Sequence, residues 1–157
     1  MAARPGANHV LDWLLGAPLA VGTPAPEFSA TDQDGKRVTL TSLRGRNVIL
    51  VFYPADDTAV CTKQLCEFRD SWAAVGSKNA VVFGVNPAQP ARHDKFRKKY
   101  NLPFPLLFDE SQKIARAYNS AFSFAPRRTV YLIGPDGIIR YASRGKPLPT
   151  EVLASAA

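Results

Sequence analysis

Two apolar runs of strand length constrain this chain more than anything else in it. Asn47 to Tyr53 reads NVILVFY and Asn79 to Val85 reads NAVVFGV. Neither alternates apolar with polar residues, so each predicts a strand covered on both faces. Between them, from Thr62 onward, Leu65, Phe68, Trp72 and Val75 recur at helical intervals, and Gly76 offers a helix end. Strand, helix and strand in this order predict a parallel pair joined by a crossover helix.

The flanking segments extend this unit. Phe28-Ser-Ala-Thr-Asp32, the turn Gln33-Asp-Gly35 and Arg37-Val-Thr-Leu40 predict a β-hairpin with Asp-Gly at its tip. Residues 90–100 predict a helix, 105–109 (PLLFD) a short strand, and Ser111–Tyr118 a further helix. Thr129–Ile133 and Ile138–Ala142 flank the turn Gly134-Pro-Asp-Gly137 and predict a closing antiparallel pair, with room for one short helix after Pro149. The expected fold is α/β: a central mixed β-sheet flanked by α-helices, with an N-terminal β-hairpin, in the thioredoxin-like arrangement. The element order alone leaves a small flavodoxin-like sheet open.

A chain of 157 residues with a 46% hydrophobic share suits one domain with a core of its own. No apolar run approaches the ~18 residues of a membrane span. Residues 10–21 (VLDWLLGAPLAV) faintly resemble the apolar part of a signal peptide, but Asp12 interrupts the run and no clean cleavage site follows. Residues 1–20 are therefore read as an N-terminal extension and 21–157 as the domain. The net charge of +7 comes from dispersed basic residues; the densest cluster, RHDKFRKK at 92–99, fits the wet face of an amphipathic helix with Phe96 and Tyr100 as an apolar pair. No nucleic-acid-binding motif accompanies it, so neither nucleic acid nor membrane is an expected partner.

The chemistry concentrates in FYPADDTAVCTKQLCEFRD, residues 52–70, which holds both cysteines, Cys61 and Cys66. A structural zinc site would need about four ligands with closer Cys spacing, and the two histidines, His9 and His93, lie far off in sequence. No CxxC pair is present. On an intact α-helix, five residues give a rise of ~7.5 Å and a Cα separation of roughly 8.6 Å, beyond the ~7 Å limit for a disulfide. A bridge between the two thiols therefore requires the first helical turn to unwind. For Cys66 alone, ordinary packing is an equal reading. Cys61 follows the loop Pro54–Val60 and opens the helix, where unpaired backbone N–H groups and the helix dipole favour negative charge and hence a nucleophilic thiolate. Thr58 is placed to cap that helix, to direct its hydroxyl at the sulfur, or both.

The spacing PxxxTxxC, here Pro54, Thr58 and Cys61, resembles the active-site motif of the peroxiredoxins (AhpC/TSA superfamily). With the second cysteine five residues on, the chain is similar to the subgroup called bacterioferritin comigratory protein or peroxiredoxin Q. The likeness runs from about Val21 to Ala142 and includes VGTPAPEFSATDQDGKRVTLTSLRG, FYP, CEFRD and KYNLPFPLLFDE. It implies a thiol-dependent peroxidase acting on hydrogen peroxide and organic hydroperoxides. In that reading Cys61 is the peroxidatic cysteine that becomes a sulfenic acid, Cys66 the resolving cysteine that condenses with it, and thioredoxin or a similar dithiol the reductant. Thr58 would hydrogen-bond thiolate and peroxide, and Pro54 would shield the sulfur. The family's arginine beside the thiolate falls on Arg128 by its register against VYLI, with Arg127 the competitor. The resemblance implies no cofactor and no metal, a pocket near Phe122 and Phe124, and a monomer. Cycling thiols and the lack of a convincing targeting segment point to the cytoplasm. Ala59-Val60 stands where the family usually has Pro-Gly or Pro-Val, and the closing helix looks short. The competing expectation is a thioredoxin-fold redox sensor or binding module without turnover.

Overall fold

The computed structural model describes residues 16–157. The signal-like stretch and the extension assigned to residues 1–20 lie outside the described residues, except for 16–20. There, Arg144 Nη2 donates to the Gly16 carbonyl at 2.8 Å and the Leu19 N–H donates to the Tyr131 hydroxyl at 2.9 Å, so these five residues are pinned to the domain.

The strands are β1 (Ser29–Asp32), β2 (Arg37–Thr39), β3 (Asn47–Phe52), β4 (Ala80–Asn86), β5 (Leu106–Phe108), β6 (Thr129–Ile133) and β7 (Ile139–Arg144). They form one seven-stranded sheet in the order β2-β1-β5-β4-β3-β6-β7. The middle strands β3, β4 and β5 are parallel, and antiparallel pairs close both sides: β1 with β2 and β5, β6 with β3 and β7. An all-parallel flavodoxin-like sheet is thereby excluded. The helices are α1 (Ala59–Asp70), α2 (Trp72–Ser77), α3 (Pro90–Lys99), α4 (Lys113–Ala117) and α5 (Pro149–Leu153). Among the described residues no helix is long and apolar enough to cross a membrane.

Every residue of β3 is buried, as the unbroken apolar run predicts, and alternate residues feed two separate cores. Val48, Leu50 and Phe52 pack with Phe28, Tyr118 and Tyr131 on one face. Ile49, Val51 and Tyr53 pack with Cys61, Leu65, Phe68, Val75 and Phe96 on the other. That second face is the one covered by α1, α2 and α3.

Local structure departs from the sequence reading in four places. The first helix begins at Ala59, three residues before Thr62, and breaks at Ser71 (φ −99°, ψ 16°), so the apolar series 65–75 is carried by two helices. Gly76 lies inside α2, and the chain turns out of it through Asn79 at φ 48°, a left-handed conformation that asparagine tolerates. The helix expected over 111–118 is split: Ser111 and Gln112 take φ near 55°, and only Lys113–Ala117 is α-helical. Finally, α3 is amphipathic with Phe96 buried and packed against Tyr100, as expected, but it also buries His93, which the reading of 92–99 as a wet face did not foresee.

Candidate active site

Strand register brings the reactive residues together. Phe52, the last residue of β3, pairs with Thr129, the first of β6, on one side and with Val85 of β4 on the other. The chain leaving β3 therefore enters the loop 53–58 with Arg128 beside it on the antiparallel neighbour and Asn86 beside it on the parallel one. The loop ends at Thr58, and Cys61 occupies the first turn of α1.

Cys61 is 1% exposed. Arg128 Nη2 donates to its sulfur at 3.1 Å, while Arg128 Nη1 donates to Gln64 Oε1 at 2.7 Å. Gln64 sits three residues after Cys61, on the same helix face, and fixes the plane of the guanidinium. The sulfur thus lies between two sources of positive potential, the N–H groups of the helix start and a guanidinium fork. Of the two adjacent arginines, Arg127 stacks instead on the Phe122 ring, 5.3 Å from its centroid.

Cys66 is half-buried against the same core, and both cysteines are free thiols. Burial pushes the Cys66 thiol up; the Arg69 guanidinium opposes this and the Asp70 carboxylate adds to it. Cys66 is therefore a protonated thiol at neutral pH. With α1 continuous from Ala59 to Asp70, the two cysteines are separated by intact helix.

Thr58 occupies the N-cap position but makes no capping hydrogen bond, and its exposed hydroxyl donates to the Ala55 carbonyl at 3.4 Å. Neither the side-chain cap nor a contact to the sulfur is formed. Pro54 is half-buried and borders a cavity of about 420 Å³ with Asn86, Pro87 and Arg92. Phe122 and Phe124 are 56% and 95% exposed and line a different open cavity of about 480 Å³, which also touches Pro87. The sequence reading missed Gln64, whose i+3 spacing from Cys61 was the available signal. It also missed Asp56 and His93, which meet under the loop.

The sheet and the Cys61–Arg128 pairing define a thioredoxin-like protein with a thiol centre. The chain belongs to the AhpC/TSA family, whose model matches residues 21–142. Peroxiredoxin Q, chloroplastic, from Oryza sativa subsp. japonica is 42% identical over 123 residues, covering 76% of this chain and 57% of the relative. The chain therefore spans less than two thirds of that relative's length. Among solved structures, the peroxidoxin BcpB of Mycobacterium tuberculosis superposes with a TM-score of 0.83 at 24% identity, covering 87% of this chain and 96% of that one, a likeness of fold. A cysteine-to-serine variant of PrxQ from Xylella fastidiosa gives a TM-score of 0.80 at 25% identity, with 87% and 94% covered.

Proposed function

We propose that this protein is a thiol-dependent peroxidase of the two-cysteine kind. The observation that carries the reading is the 3.1 Å contact from Arg128 to a buried cysteine in the first turn of a helix. The Cys61 thiolate attacks one peroxide oxygen; the O–O bond breaks, Cys61 becomes a sulfenic acid, and the other oxygen leaves as water or an alcohol after taking one proton. Arg128 offers fixed donors where negative charge moves from sulfur to leaving oxygen, and Gln64 keeps those donors in plane. Pro54 shields the sulfur from bulk water, and Thr58 turns its hydroxyl toward the peroxide once substrate occupies the mouth of the site.

The Cys66 sulfur then attacks the sulfenic sulfur, its proton leaves with the hydroxyl as water, and a Cys61–Cys66 disulfide remains. This step requires α1 to unwind from its first turn, because the intact helix holds the Cα atoms roughly 8.6 Å apart. A dithiol reductant such as thioredoxin restores both thiols by exchange. Each copy carries both cysteines, so a monomer suffices, and cycling thiols fit a reducing compartment such as the cytoplasm.

The test is one equivalent of hydrogen peroxide added to the reduced protein, followed within seconds by a denaturing quench and an intact mass. Loss of about two mass units with both thiols gone is the expected result for disulfide formation. An unchanged mass with both thiols intact overturns the reading.

A further inference from the structure

His93 sits on the helix with the densest positive charge, yet it is 0% exposed. Its Nδ1 faces Asp56 Oδ2 at 2.7 Å and its Nε2 faces the Leu107 carbonyl oxygen at 3.0 Å. Each ring nitrogen thus faces an acceptor oxygen, and the Nδ1 contact ties the ring to the Asp56 carboxylate. Asp56 is 1% exposed and fully engaged. Its Oδ1 accepts from the Tyr53 hydroxyl at 2.6 Å and from Asn86 Nδ2 at 3.0 Å, and Arg92 Nη2 donates to its backbone carbonyl at 3.2 Å. Burial opposes ionisation of Asp56, but the bonds from His93, Tyr53 and Asn86 outweigh it and hold the carboxyl below the usual range.

The neighbouring contacts extend the grip of α3. Asp57, at φ 58°, accepts from the Tyr100 hydroxyl at 2.7 Å and from Lys99 Nζ at 2.8 Å. Farther along α1, Arg69 Nη1 donates to the Tyr100 carbonyl at 2.7 Å. So α3 and the residue that ends it hold the chain at Asp56–Asp57 and again at Arg69. Between these anchors the fastening is weak: Thr58 gives no side-chain cap, Ala59 and Val60 are exposed, and the Thr62 hydroxyl has no partner among the described residues. The segment that must unwind is bracketed, at both ends, by one helix.

We propose that His93 is a positioning residue for the peroxide chemistry: paired with Asp56, it fixes the Pro54–Thr58 loop to α3 and so holds Cys61 in its folded, peroxide-reactive geometry. The inference rests on the peroxidase reading. It concerns the fate of the sulfenic acid, which has two exits. Unwinding leads to the disulfide, with water released. Remaining folded leaves the sulfenic acid open to a second peroxide, which adds an oxygen to the sulfur, giving the sulfinic acid, and departs as water or alcohol. A tight loop favours the first reaction with peroxide and also the sulfinic exit; a loosened loop favours the disulfide.

The experiment compares wild type, His93→Gln, Asp56→Asn and the double variant, quenching after a range of hydrogen peroxide concentrations and measuring disulfide and sulfinic protein by mass. In each single variant, the peroxide concentration giving half sulfinic product is expected to rise roughly tenfold, while the first oxidation slows. The double variant is expected to match the singles rather than multiply them, because both remove one interaction. An unchanged half-point in both singles, in a preparation whose wild type cycles normally, overturns the proposal. If a variant fails to fold, the His93 ring proton of the wild-type protein decides: an Nδ1 proton held toward Asp56 and slow to exchange with solvent supports the pair, and the lack of such a protected proton overturns it. A wild type that does not react with peroxide sinks the peroxidase reading itself, an outcome distinct from either.

Discussion

Arg128 spends both arms of its guanidinium, one on the Cys61 sulfur and one on Gln64. A lysine at that position supplies charge but no fork, so Arg128→Lys is expected to slow the reaction with hydrogen peroxide by about 10²-fold, read by competition with a peroxidase of known rate. Gln64→Ala should cost less, about tenfold, because the guanidinium survives but loses its orienting acceptor. Cys66→Ser should keep one rapid peroxide reduction and abolish recycling by thioredoxin; undiminished turnover would show that an outside thiol closes the cycle. The Cys61–Arg128 contact was legible in the sequence because a helix start and a strand start mark its two ends. His93 and Asp56 were not. Their partners Asn86 and Leu107 sit on other strands, and only the sheet order brings them under the loop.

At the scale of elements, α1 is a helix with a firm end and a weak beginning. The N-terminal side lacks the side-chain cap whose presence is worth about 1 kcal/mol. Ala59 occupies the first helical position, and Thr58 before it is extended (φ −100°, ψ 155°), the conformation a following proline prefers. Ala59→Pro is therefore expected to stabilise the folded turn by about 0.4–1 kcal/mol and to slow disulfide formation about two- to fivefold, measured by rapid quench after a peroxide pulse. A disulfide rate unchanged by the proline would place the unwinding elsewhere. In β4, a Cβ on Gly84 would lie 2.7 Å from Leu106 Cδ2 and 2.9 Å from Tyr53 Cε1. Gly84→Ala should therefore destabilise by about 1–3 kcal/mol in urea titrations. The strands were well read because continuous apolar runs leave a buried strand little choice. The helix ends were read less well: Asn79, left-handed just past α2, was an available stop signal passed over for Gly76, and nothing in the sequence marks the break at Ser71 or the left-handed Ser111 and Gln112.

For the whole molecule, acid stability divides between two buried carboxyls acting in opposite directions. The Asp56 carboxyl is lower in the folded chain than in the unfolded one, so its contribution is complete above the ordinary value of ~3.9 and is lost as pH falls through its depressed folded value. Asp109 is raised by burial despite the Ile114 and Ala115 N–H donors, so what it contributes is present in acid and fades as pH rises through its folded value. Asp56→Asn is expected to cost about 3–5 kcal/mol at neutral pH, as breaking a buried pair does, with the gap to wild type closing below pH ~4. A gap that stays constant from pH 7 to pH 3 would exclude Asp56 as the titrating group. The sheet order carries a last consequence. Cys61 is delivered by β3 and its arginine by β6, 67 residues later in the chain. During synthesis Cys61 leaves the ribosome well before Arg128 has been made, so on the peroxidase reading each nascent chain passes through a period in which the proposed nucleophile lacks its guanidinium partner. On the peroxidase reading, the thiol gains its guanidinium partner only when the sixth strand takes its place in the sheet.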